Sequence, residues 1–141
     1  GCTSNPNDTN PNLGTRGLLI CETNEICPIV TVVWNETHKD ILKVNLSLSS
    51  VYKKYNIEKV VFSNDIKNLS FNVIGPTEID FIFKANRSRN SIIVPINMMT
   101  EFQGSQNVFM KIYTDQGVIK RYIVKDNVKA PVFEDFTKYY K

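Results

Sequence analysis

Three cysteines, one histidine and three methionines are the residues of this chain whose chemistry could go beyond packing. Cys21 and Cys27 close a short, mostly polar ring, CETNEIC. A disulfide across so tight a loop adds about 2–3 kcal/mol by restricting the unfolded chain. Two free thiols in a reducing compartment are the other reading. Zinc finds no ligand set, because His38 is the single histidine and no third soft ligand lies near it. His38 stands in NETHKD with Glu36 and Asp40, but no glycine-framed serine or reactive cysteine accompanies it. An exposed loop histidine is the expectation. The carboxylates are scattered over turns and polar faces, without the facing pair that glycoside hydrolysis needs. Met98, Met99 and Met110 have no regular ligand spacing and read as core filler rather than copper ligands. No phosphate-cradling or dinucleotide motif is present. The residues therefore point to no catalytic group, no metal and no cofactor.

Cys2 is the cysteine left over, and the stretch behind it, TSNPNDTNPN, is polar and rich in Asn and Pro. The pair Gly1-Cys2 with such a leash resembles the lipobox end of bacterial lipoproteins. That resemblance implies a diacylated Cys2, Gly1 as the residue before the cleavage site and a leader already removed. With Thr3 rather than Asp after the cysteine, it further implies an outer-membrane lipoprotein facing the periplasm or the cell surface. Residues 1–17 carry too few apolar side chains to fold. As a flexible coil they would hold a domain roughly 20 Å from the bilayer, and at most about 50 Å. A secreted glycoprotein is the competing reading, because Asn7-Asp-Thr9, Asn35-Glu-Thr37, Asn45-Leu-Ser47, Asn68-Leu-Ser70 and Asn86-Arg-Ser88 fit the acceptor pattern.

The 141 residues leave room for one core, enough to bury roughly 70% of the unfolded surface. No apolar run reaches the length of a membrane-spanning helix. Net charge is only +3 and no block of like charges occurs, so no nucleic-acid partner is expected.

Positioning elements show a period of two, not 3.6. IVTVVW (29–34) is a continuous apolar run that reads as a strand buried on both faces. ILKVNLSL alternates, with Leu42, Val44, Leu46 and Leu48 on one side. Alternation also puts Leu69, Phe71 and Val73 inside, and Ile79, Phe81 and Phe83 inside. NRSRN (86–90) reads as a solvated basic loop tip. Pro95 marks an edge strand or a strand end. Residues 108–124 read as a hairpin about Thr114–Gly117, with Val108, Met110 and Ile112 alternating on the first arm and Val118, Tyr122 and Val124 on the second. The expected fold is all-β: an antiparallel Ig-like or transthyretin-like sandwich of seven to eight strands over residues 18–128.

Residues 129–141 differ. Phe133, Phe136 and Tyr140 fall at i, i+3 and i+7, one face of a short helix or aromatic tail. With Tyr139 they form an aromatic cluster that either docks on the sandwich itself or anchors a protein partner. The layout of lipid cysteine, leash and one sandwich is similar to that of small envelope lipoproteins such as the outer-membrane lipoprotein of type VI secretion. The expected role is non-enzymatic: a structural or protein-binding component of a secretion, pilus or envelope assembly, held to the membrane through Cys2. Glycan capture in adhesion, or protease inhibition by an Ig-like domain, is the alternative.

Overall fold

In the computed structural model, residues 19–22 and 24–140 are described. Cys2 and the expected leash lie outside them. The strands are β1 (Ile29–Asn35), β2 (His38–Ser50), β3 (Ile57–Ser63), β4 (Asn68–Asn72), β5 (Glu78–Ile82), β6 (Ala85–Pro95), β7 (Val108–Thr114), β8 (Gly117–Lys125) and β9 (Val128–Lys129). A 3-10 turn spans Met98–Phe102, and one helix, α1, spans Pro131–Thr137.

The alternating Leu42, Val44, Leu46 and Leu48 make β2 the spine of the first sheet. Their side chains are buried, while Lys43 and Ser49 of the same strand are exposed. Antiparallel pairing builds the order β1-β2-β6-β5 around it. The second sheet runs β4-β3-β7-β8-β9. This is the order A-B-E-D facing C-F-G, extended by one strand beside C and by β9: the immunoglobulin-like one of the two expected sandwiches. The core between the sheets joins Leu46, Val60, Phe62, Ile92, Met110 and Ile112, with Met98 and Met99 closing one end as filler.

Several local expectations need correction. β1 is an edge strand with only its inner face covered, so Val30 and Val32 are buried while Val33 is exposed. A continuous apolar run does not reveal which face lacks a neighbour. On β8 the buried residues are Ile119, Ile123 and Val124, while Val118 is exposed. A bulge on β8, where Ile123 has no partner between the pairs Val108↔Val124 and Phe109↔Tyr122, shifts the alternation. NRSRN is not a loop tip but the first half of β6. Ser88 and Asn90 point inward, where polar groups are needed by crossing segments. The Ser88 hydroxyl accepts from the Tyr55 N–H at 3.0 Å, and the Asn90 amide donates to the Gly75 carbonyl at 3.2 Å. Pro95 ends β6. Ser91 turns its carbonyl away from β2 to accept from the Ile74 N–H. Strand alternation puts Pro95, which has no N–H, on that same unpaired side.

The Cys21–Cys27 disulfide is formed, with Cα atoms 5.8 Å apart. Its ring is braced on β8 by Arg121, whose Nε donates to the Ile26 carbonyl at 2.9 Å and whose Nη1 pairs with Glu25 at 3.3 Å. Replacing both cysteines by Ser lowers the free energy of unfolding by about 2 kcal/mol, measured by urea titration. No change in the midpoint would refute that contribution.

Candidate interaction surface

His38 is exposed at the start of β2, and its Nδ1 lies 3.0 Å from the Thr37 hydroxyl. Among the described residues no group of three His, Cys, Asp or Glu side chains could hold a metal ion. The four C-terminal aromatics do not act as a set. Phe136 is 1% exposed and stands edge-on to Phe62 at 5.6 Å between ring centroids. Tyr139 stacks on Trp34 at 5.9 Å, and the Trp34 indole donates to the Lys39 carbonyl. Phe133 and Tyr140 border a cleft of about 570 Å³ over Met99 and Phe102. The tail therefore docks on its own sandwich, and Phe136 is removed from the expected partner-binding residues. The helix buries Val132 and Phe136, at i and i+4, rather than the 133/136/140 stripe. Pro131 begins α1, where its fixed φ is favourable and its missing N–H costs nothing.

The feature that sequence reading missed is the β5–β6 hairpin. Ile82 pairs with Ala85, so Phe83 and Lys84 are the whole turn. Their φ values are +53° and +63°. Both positive angles are what a two-residue type I′ turn requires, a role normally taken by Asn-Gly. For Phe and Lys this backbone is strained, because Cβ crowds the neighbouring carbonyl.

The crossing segment 51–56 reaches the inner face of β6 at Ser88 through Tyr55. Ile79 faces Ser88 and Phe81 faces Asn86 in the pairing register. These two are therefore on the core side of the sheet, but past the end of the covered core. Phe81 is 66% exposed and Phe83 97%, against the expectation that both lie inside. Ile79 is exposed too. Val51 and Tyr52, next along the chain from the end of β2, join them, Tyr52 at 93% exposure. Together the five side chains offer an apolar surface on the order of several hundred Å², the size that marks an interaction site on a soluble domain.

On the opposite face the hairpin is held by charge. Arg87 donates from Nε and Nη2 to the two carboxylate oxygens of Asp80, at 3.0 and 2.7 Å. Arg89 Nη2 lies 3.3 Å from both Asp80 and Glu78. The Arg87 hydrogen bond, with lesser attraction from both arginines, holds the Asp80 carboxyl below its ordinary range. A lowered folded value means that the pair steadies the hairpin above about pH 4 and releases it as pH falls further. Solvent screening keeps that contribution small. A bidentate Arg–carboxylate pair thus bridges the two strands behind the strained, apolar tip.

Alternation alone could not find this site. I-D-F-I-F reads as a strand with apolar residues inward, and only the length of the facing elements decides where coverage stops. Comparison with protein families, curated proteins and solved structures finds no match for this chain.

Proposed function

We propose that this protein is a non-enzymatic, lipid-anchored envelope protein that holds a protein partner through the tip of its β5–β6 hairpin. The observation that carries the reading is the pair Phe81 and Phe83, both exposed, Phe81 at the end of β5 and Phe83 on a two-residue turn whose backbone is strained. Strain of this kind persists where surrounding structure enforces it, and it concentrates at functional sites. Rigid aromatic side chains on a preorganised turn are the residues that dominate interface energy. Lys53, Lys54 and Lys84 flank the tip and are exposed. A matching partner surface is an apolar cleft rimmed by carboxylates. Cys2, outside the described residues, supplies the anchor through its acyl chains, and the polar stretch behind it supplies the reach.

A photo-crosslinking amino acid at position 83, in the native envelope, tests the contact. One discrete protein adduct is expected there. No adduct is expected from position 66, an equally exposed site on the β3–β4 turn. Identical patterns from both positions would overturn the hairpin contact. Cys2→Ser in the same cells moves the protein to the soluble fraction; persistence in the membrane would overturn the anchor.

A further inference from the structure

We infer that the outer face of the five-stranded sheet binds an acidic polysaccharide, a role separate from the partner contact at the hairpin. Alternate residues of four strands make up this face. Asn68, Ser70 and Asn72 come from β4, and Lys59, Val61 and Ser63 come from β3. Phe109, Lys111 and Tyr113 of β7 follow, then Val118, Lys120 and Tyr122 of β8. No carboxylate stands at any of these positions.

Lys111 and Lys120 are directly opposite each other in the ladder. Like charges at facing positions destabilise a sheet. Among the described residues, Lys59, Lys111 and Lys120 form no ion pair. Their stems lie over aromatic rings instead. The Lys120 Nζ is 4.0 Å from the Phe109 centroid, the Lys111 Nζ 5.4 Å from the same ring, and the Lys59 Nζ 4.7 Å from that of Tyr113. Phe109 is buried beneath them, beside Val61 and Ser63 of the same face, which are buried too, and the ammonium groups form a band across β3, β7 and β8. Lys125, over Tyr122 at 5.3 Å, is paired with Glu22 at 4.0 Å and bounds the band at that end of β8.

A flat band of compact cations complements a linear polymer carrying repeated negative groups. Lysine serves any such group as a point charge, with no demand for bidentate geometry. The exposed amide and hydroxyl row Asn68, Ser70 and Asn72 beside the band supplies hydrogen-bonding partners of the kind that sugar hydroxyls use. A bilayer fits less well, since Val118 is the one apolar side chain of this face that is exposed. Nucleic acid fits less well because the rings lie beneath lysine amines rather than open for base stacking.

The test is fluorescence anisotropy of the full chain with labelled polygalacturonate. Binding is expected at about 50 mM salt and is expected to weaken about tenfold by about 200 mM, as counterions compete. Lys120→Glu is expected to weaken binding by about tenfold while the melting temperature holds or rises, because attraction to Lys111 replaces repulsion. Lys111→Gln gives a second variant without charge reversal, expected to weaken binding in the same direction. Lys53→Glu, at the hairpin end, is expected to change it less than about twofold. The inference fails if the probe does not bind, if Lys53→Glu acts as strongly as Lys120→Glu, or if neutral dextran binds equally. Tighter, Lys120-dependent binding to oligo(dT) or to phosphatidylglycerol vesicles would also overturn it. Any of these failures leaves the crosslinking result at position 83 intact.

Discussion

Phe136→Ala is expected to lower the free energy of unfolding by about 3–5 kcal/mol, a large share of what a domain of this size has. The ring is fully enclosed and meets Phe62 edge-on, and Phe62 in turn meets Phe71 edge-on at 5.9 Å. Truncation removes the transfer free energy of the ring and leaves a cavity bounded by two sheets and a helix, which cannot all close in. Urea titration of the purified domain measures it. Tyr140→Ala, four residues on and 42% exposed, is the internal comparison and is expected to cost less than about 1 kcal/mol. Equal effects from the two substitutions would mean that the helix is not docked as described. The contrast also separates two uses of aromatic residues that lie close together in sequence.

The second large effect runs in opposite directions for stability and for function. Replacing Phe83-Lys84 by Asn-Gly (Phe83→Asn with Lys84→Gly) puts the preferred residues into a turn whose two φ values are already positive. Relief of the strained backbone is expected to raise stability by about 1–2 kcal/mol. The same change removes the most exposed aromatic of the tip, and partner binding is expected to fall by more than about tenfold, since a central aromatic anchor is commonly worth 2 kcal/mol or more. A thermal melt reads the first effect and loss of the position-specific partner complex reads the second. Higher stability with undiminished partner binding would refute the contact. Lower stability would show that Phe83 packs on something and is not held there under strain.

How much of this was legible in the sequence varies from element to element, and each difference has a physical cause. β2 could be read directly, because one of its faces is buried along nearly the whole strand and its residues alternate accordingly. The first half of β6 has the same period of two, but in polar residues, R-S-R-N, and a hydrophobic pattern is blind to a face whose inward side chains serve hydrogen bonds. The short cysteine ring could be read because its closure is local. The aromatic tail was legible as a helix, but its buried face was not, since Phe133 and Phe136 are equally apolar and only the position of Phe62 selects between them.

The amino-acid order by itself determined the all-β character, the Thr114–Gly117 turn and the Cys21–Cys27 ring, all of which follow from interactions within a few residues or from side-chain alternation. Tertiary structure decided what the surface offers. Ile79 and Phe81 are exposed, although on the core side of their sheet, because the core ends before β5 does. Lys59, Lys111 and Lys120, spread over sixty positions of chain, become neighbours because β3, β7 and β8 lie side by side. Coverage and cross-strand adjacency depend on which strands meet and where they stop, and long-range pairing of that kind leaves no local trace in the sequence.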